Sequence, residues 1–267
     1  MSATGLPSSR PERSGQLRVR LGTGPEAILD SRRALFLPDA GILVLADLHL
    51  GYTWVQRRRG ALLPVNTPDT AGARFESLIQ SYQPKSCVLV GDVVHQAVAL
   101  PAIQEELQTL ARRLPVTTEW IICPGNHDQQ LPALLTRLGL RAEVTSVWTS
   151  GRYRFHHGDR VVVGTPNAAG FALQADSEFH IIGHEHPALR LGDGVATSAK
   201  VPCFLLGANA LVLPAFSDWA SGCEVGRAPF LGPLAQTTRF ESAVACLGPR
   251  LLRIPLRSPD SPKTNLR

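Results

Sequence analysis

The 267-residue chain has no run of 18 apolar residues, so nothing in it could cross a bilayer as a helix. Its opening stretch, MSATGLPSSRPERSGQ, has arginines but no apolar segment behind them, which does not suit a secretory signal. A cytoplasmic location is therefore the expectation. No C-x-x-C pair occurs. The five cysteines, Cys87, Cys123, Cys203, Cys223 and Cys246, are odd in number and widely spaced, which excludes a disulfide framework and a zinc ribbon and leaves them as small apolar core residues. A Gly-rich phosphate loop, a G-x-S-x-G elbow and a Cys-His nucleophile pattern are also missing.

What is present is ordinary for a globular protein: 44% hydrophobic and 18% charged residues, far from a disordered composition. The formal charge of +5 and pI near 9.2 favour anionic partners. Twenty-one prolines and twenty-three glycines predict many turns. Length and pattern fit one domain over 17–255, with Ser-, Pro- and charge-rich tails at 1–16 and 256–267.

Short apolar runs alternate with helical stretches. GILVLA (41–46), CVLV (87–90), EWIIC (119–123), YRFH (153–156) and FHIIG (179–183) read as buried strands. Residues 67–82 read as a helix, with Thr67 as cap, Pro68 and Asp69 in the first turn, and Ala71, Phe75, Leu78, Ile79 and Tyr82 on one face. Leu100 to Leu114 and Leu131 to Leu138 repeat that pattern. From 191 to 255 the signal is strand and turn, with CFLLG, ALVLPAF, SAVACLG and RLLRIPL as strands. One sheet does not absorb all of these. Two sheets packed face to face, with helices on the outer faces, use every element.

The polar residues that stand out follow the buried strands, where open α/β sheets place their ligand sites. Asp47 and His49 follow the first strand, one residue apart and so on one side of an extended segment. Asp92, after Gly91, follows the second, with His95 beyond it. Asn126, His127 and Asp128 follow the third. His156, His157, Gly158 and Asp159 follow the fourth, and His184, Glu185 and His186 follow the fifth. One D-x-H or H-x-H pair alone is more often a solvated loop or a satisfied core histidine. Seven of the eight histidines in segments that follow strands, all between residues 49 and 186, point instead to a shared metal site.

Asp, Asn and His without thiolate suit borderline or harder divalent metals, Mn, Fe, Co or Zn. Seven candidates, Asp47, His49, Asp92, Asn126, His157, His184 and His186, are too many for one ion. Two ions about 3.5–4 Å apart, bridged by a carboxylate, would use all of them. Two dications against two aspartates leave excess positive charge, which selects a phosphate group. Metal coordination would also bring water's pKa toward neutrality and so provide a hydroxide nucleophile. His127, not needed as a ligand, is the candidate general acid for the departing alkoxide. Asp128 has two readings: it orients the protonated imidazole, or it caps the helix starting near Gln129.

In this order, D-x-H, G-D, G-N-H-D, H-G and G-H-x-H resemble the calcineurin-like metallophosphoesterase superfamily. The resemblance implies a four-layer α-β-β-α sandwich of two mixed sheets. It also implies Asp47, His49 and His186 on one ion, Asn126, His157 and His184 on the other, Asp92 bridging, manganese foremost among the metals, and His127 as the acid. A-D-L-H-L-G-Y, the G-x-x-L-P segment from Gly60 to Pro64, Val201 to Leu205 and Leu211 to Phe216 are similar to bacterial and archaeal phosphoesterases that include the ligase-associated DNA damage response endonuclease. That narrower likeness implies a nuclease in DNA repair, with a DNA ligase or helicase as partner.

The chain departs from the pattern at Asp159, where many relatives have a second histidine after H-G, so Asp159 reads as a turn residue. His156 competes with His157 for the ligand role, and His157 is preferred because it directly precedes the glycine. His95 reads as lining the site or as structural. Arg57, Arg58 and Arg59 read as a grip on a nucleic-acid backbone or as a solvated helix face. Hydrolysis of a small nucleotide is the alternative activity, separable by substrate preference. A non-catalytic scaffold would have lost ligands or the acid, and none is missing here.

Overall fold

Period-two alternation in short apolar strands decides which side chain faces which layer. The computed structural model describes residues 15–63, 70–96, 101–162, 178–192, 198–220, 222–227 and 229–256. The cap at Thr67 with Pro68 and Asp69, the helix start at Leu100, Pro64, and nearly all of both tails lie outside the described residues. The first sheet runs in chain order: β1 (Gln16–Arg20), β2 (Glu26–Asp30), β3 (Ala34–Leu37), β4 (Ile42–Ala46), β5 (Ser86–Val90), β6 (Glu119–Cys123) and β7 (Glu143–Val144). β1 to β4 form an antiparallel meander, and β4 to β7 are parallel.

Parallel neighbours need crossovers. Here these contain α1 (Tyr52–Arg58), α2 (Thr70–Tyr82), α3 (Pro101–Arg112) and α4 (Leu131–Arg137). Leu43, Leu45, Cys87, Leu89, Trp120 and Ile122 point to the helices and meet Phe75, Leu78, Ile103, Leu107 and Leu134. The intervening Val44, Ala46, Val88, Val90, Ile121 and Cys123 point the other way, into the core between the sheets.

The second sheet takes β8 (Trp148–Ser150), β9 (Tyr153–His156), β10 (Phe179–Ile182), β11 (Pro187–Gly192), β12 (Ser198–Gly207), β13 (Ala210–Val212), β14 (Cys223–Glu224), β15 (Phe240–Leu247) and β16 (Arg250–Pro255). Phe155, Phe179, Ile181, Phe204, Leu211 and Val244 fill its inner face. Full burial of such a side chain contributes roughly 1.5–3 kcal/mol, so this double layer dominates the stability. Ile182, Cys203, Leu205, Val212 and Ala243 form the outer face and pack on Ala235 of a five-residue helix, α5 (Pro233–Thr237), and on Phe230 and Leu234. The α-β-β-α order holds, with the fourth layer reduced, among the described residues, to that single short helix.

The C-terminal ends of β4, β5, β6, β9 and β10 meet at one edge of the sandwich. Backbone bonds sew them together: Asp47 N to Gly91 O, His49 N to Asp92 O, Gly183 N to His157 O and Phe216 N to Ala46 O, all between 2.8 and 3.1 Å.

Candidate active site

Five candidate ligands have left-handed backbone: Asp47 (φ 54), His49 (φ 49), Asp92 (φ 42), His184 (φ 69) and His186 (φ 44). Only Arg33 and Gln83 share this conformation among the other described non-glycine residues. It is unfavourable for side chains with a Cβ, and such strain collects where surrounding structure fixes a functional geometry. Each of these residues follows a strand that ends in a fully buried stretch, so the chain must turn sharply within one or two residues. Gly125 and Gly183 allow the closest approaches: a Cβ on Gly125 would collide with the Asp92 carboxylate, and one on Gly183 would sit 2.7 Å from Asp47 Oδ2.

The structure brings all seven candidate ligands together. Asp47, His49, Asp92 and His186 each offer a donor atom, all within 4.8 Å of one another. His49 Nε2 faces His186 Nε2 at 3.2 Å, and His186 Nε2 is 3.5 Å from Asp47 Oδ2. A second group adjoins the first. His157 Nε2 lies 3.1 Å from Asn126 Oδ1, 3.1 Å from His184 Nδ1 and 3.6 Å from Asp92 Oδ2. A cation with bonds of 2.0–2.2 Å sets neighbouring donors roughly 3.0–3.6 Å apart; the His49–His186, His186–Asp47, His157–Asn126 and His157–His184 pairs lie in that range.

Electrostatics agree with that fit. Burial pushes His49 down to about 3 and His157 down to about 4, so both imidazoles are neutral and free to act as ligands. Burial alone would raise the Asp47 carboxyl, but the His186, His157 and His49 rings hold it below the ordinary range. Burial pushes Asp92 up to about 7 against a backbone hydrogen bond from His127, and the nearby Asp47 and Asp128 carboxylates add to the rise. Asp92 thus lacks the positive charge that its surroundings demand, and divalent ions would provide it. The buried Asp47 Oδ1 also has no hydrogen-bond partner among the described residues.

His127, with a side chain 37% exposed, has its Nε2 3.9 Å from Asp92 Oδ2. Its backbone N–H donates to Asp92 Oδ1 at 3.0 Å, and its Nδ1 faces the His95 carbonyl oxygen at 2.6 Å. The orienting role expected of Asp128 therefore belongs to the His95 carbonyl. Asp128 is buried, and its carboxylate accepts the N–H groups of Gly125 (2.9 Å), Val94 (3.0 Å) and Val93 (3.1 Å), pinning the loop after β6 to the loop after β5. It does not cap a helix by its side chain either, because α4 begins at Leu131 behind Gln130 without a side-chain cap.

His156 turns away from the donors and pairs with His180 at 3.0 Å on the outer face of the second sheet. His95 lines the centre as a ring neighbour of both His49 and His127, with centroids 5.3 and 5.6 Å away. Asp159 pairs with Arg160 at 3.0 Å. Arg58 is the last residue of α1 and Arg59 its C-cap, both exposed, and the Arg57 guanidinium lies 5.2 Å from the Trp54 ring. Tyr52, which with Trp54 puts aromatics beside the Arg57–Arg59 run in the sequence, has a partner that no motif includes, Trp219. Tyr52 and Trp219, 167 positions apart, stack with planes 12° apart at the rim of the centre, a contact that no local pattern announces.

Residues 40–171 match the model of the calcineurin-like phosphoesterase family. Among solved structures, the nuclease MPE of Pseudomonas putida superposes with a TM-score of 0.64 at 18% identity, over 90% of this chain and 100% of that one, which shows a shared fold. The phosphoesterase YfcE of E. coli gives 0.36 at 14% identity over 81% and 99%, a similarity too loose to argue from. No curated protein matches the sequence. The matched segment carries the loops from Asp47 to His157, and His184 and His186 complete the donor groups around them; the chain therefore belongs to the calcineurin-like phosphoesterase family and is a metal-dependent hydrolase of phosphate esters.

Proposed function

We propose that the chain cleaves phosphodiester bonds in nucleic acid with two divalent ions, manganese foremost, one held by Asp47, His49 and His186 and the other by Asn126, His157 and His184. The observation that carries this reading is the position of Asp92. Its Oδ2 lies 4.0 Å from His49 Nε2, 3.6 Å from His157 Nε2 and 3.9 Å from His127 Nε2, so one oxygen borders both donor groups and the acid. When bound, the ions supply Lewis acidity toward the phosphoryl oxygens and a nucleophile at neutral pH.

The protein's own groups do the rest. Asp47 and Asp92 return two of the four positive charges, and Asn126 and the four imidazoles, which would bind an ion through lone pairs, return none, which leaves a net positive site for a phosphate diester. His127 presents Nε2 to the departing oxygen and donates the proton, while its Nδ1–H is tied to the His95 carbonyl. Exclusively oxygen and nitrogen donors suit manganese, iron, cobalt or zinc rather than thiolate-seeking ions, and manganese is placed first by the resemblance.

Nucleic acid as substrate rests on the surroundings. The stacked Tyr52 and Trp219 offer base stacking at the rim, and Arg58 and Arg59, exposed at the end of the helix that begins at Tyr52, offer backbone neutralisation. The fold shared with a nuclease is in keeping with this. The likeness to the ligase-associated endonuclease extends the proposal to DNA repair, with a ligase or helicase as partner. A second reading has one observation of its own: a cavity of about 470 Å³ lined by His49, Tyr52 and Trp219, large enough for one nucleoside of a small diester.

Hydrolysis of mono- and bis-ester model compounds and of DNA, in manganese and at rising salt, tests both readings. We expect preference for the bis-ester and salt-sensitive DNA cleavage, both abolished together with metal retention in Asp92→Asn. Salt-insensitive turnover of small nucleotides with intact DNA would support the second reading. An Asp92→Asn variant with wild-type rate would end both.

A further inference from the structure

Glu185 stands between His184 and His186, whose backbones are both left-handed, with φ 69 and 44. Its own N–H turns back to the Gly183 carbonyl at 2.8 Å, so the segment is coiled on itself. Its side chain is 1% exposed. The carboxylate accepts the N–H of Leu231 at 2.8 Å on Oε2 and the N–H of Gly232 at 2.6 Å on Oε1.

The segment it grips is itself anchored. Phe230 packs edge-on against Phe240 with centroids 5.3 Å apart, Gln236 Nε2 donates to the Phe230 carbonyl at 2.8 Å, and Leu234 and Ala235 of α5 join the outer core. The same segment touches a second ligand loop. A Cβ on Gly232 would collide with the carbonyl oxygen of Gly158, the residue after His157, and would come 3.0 Å from Glu185 Oε1.

We propose that Glu185 is a positioning residue: by clamping the coiled 183–186 segment to 231–232, it holds the imidazoles of His184 and His186 in their metal-binding geometry. This rests on the two-ion reading of the site. Hydrogen bonds donated by backbone N–H groups to a buried carboxylate are strong, and the two histidines have an unfavourable backbone that relaxes once the clamp is gone. Groups that orient metal ligands from behind typically change metal affinity by 10–100-fold when removed.

The test is titration of the full chain, stripped with chelator, with Co(II), read by its visible absorption, for wild type, Glu185→Ala, Glu185→Gln and Gly232→Ala. Glu185→Ala is expected to weaken Co(II) binding about 10–100-fold and to alter the absorption bands. Glu185→Gln keeps the shape and one acceptor and should fall between it and wild type. Gly232→Ala also presses on the carbonyl beside His157, so it should weaken binding at least as much, and Glu185→Gln decides the matter if Glu185→Ala does not fold. Variants that melt earlier yet bind Co(II) with wild-type affinity and spectrum would reduce Glu185 to a structural pin and overturn the proposal. A wild type that takes up no Co(II) would overturn the two-ion reading itself, an outcome distinct from failure of the variants.

Discussion

His127 Nδ1 lies 2.6 Å from the His95 carbonyl oxygen, and this bond keeps Nε2 turned toward Asp92, 3.9 Å away. A histidine held in this way can deliver a proton from one defined nitrogen without touching the ions. His127→Ala should therefore slow hydrolysis of esters with alkoxide leaving groups by roughly 10²–10⁴-fold. Nitrophenolate departs without a proton, so the same variant should lose far less on a nitrophenyl bis-ester. Metal content, measured by elemental analysis, should stay at the wild-type level. Equal losses on both substrates would remove His127 from the acid role.

The parts legible in the sequence were those written in local pattern. β4, β5 and β6 each read as a short apolar run, and the polar clusters after them identify themselves because Asp47, Asp92 and Asn126 have no apolar reason to follow a buried strand. β1 was not legible: QLRVR carries two arginines and buries only Val19, as a protected edge strand does. Asp128 was misread for a different reason. Adjacent residues on a tight loop need not share a direction, and its carboxylate spends its acceptors on the loop after β5, 34 and 35 positions away. Nor could periodicity reveal the Tyr52–Trp219 stack or the Glu185 clamp, because both depend on tertiary closure.

Ion binding should stabilise the fold more at pH 8 than at pH 5.5. His49 and His157 fall to about 3 and about 4 in the folded chain, against about 6.5 unfolded. The folded state then binds fewer protons, so their contribution is present above pH 6.5 and is lost as pH falls through those values. Asp92 has the opposite sign. Its rise to about 7 favours the folded state below about pH 4, and this contribution disappears as pH climbs through 7, where an ionised Asp92 without a counter-charge costs most. At pH 5.5 His49 and His157 are already neutral in the folded chain, and the proton that ions must displace sits on Asp92, whereas at pH 8 ions relieve an Asp92 that is already charged. Thermal melts with manganese or with chelator at the two pH values measure the gain. An equal or larger gain at pH 5.5 would contradict the assignment.

Asp128→Ala should cost about 3 kcal/mol or more, because it leaves the buried N–H groups of Val93, Val94 and Gly125 without an acceptor. The loops after β5 and β6 carry Asp92, Asn126 and His127, so kcat should fall as well, although Asp128 touches none of the reacting atoms. Asp128→Asn keeps the size but turns an amino group toward at least one of the same donors, and should lie between. Urea unfolding of the three proteins gives the ranking. A loss under about 0.5 kcal/mol for the alanine variant would show that water replaces the carboxylate.

If nucleic acid is the substrate, the rim should matter to binding and the centre to chemistry. Tyr52 and Trp219 are stacked with planes 12° apart, and Trp219 is 36% exposed, so an unpaired base can continue the stack. Stacking on one aromatic is worth roughly 1–3 kcal/mol per base. Tyr52→Ala or Trp219→Ala should therefore raise KM for single-stranded DNA by roughly 5–150-fold, with kcat on a nitrophenyl bis-ester nearly unchanged. The arginines should act differently, since a phosphate contact releases counterions and each contributes about 0.7–0.9 to the slope of log affinity against log salt. Replacing both Arg58 and Arg59 with alanine should flatten that slope by about 1.4–1.8 and weaken all sequences alike. Losses of the same size on DNA and on the small bis-ester, with an unchanged salt slope, would mean that these side chains support the centre rather than grip a strand.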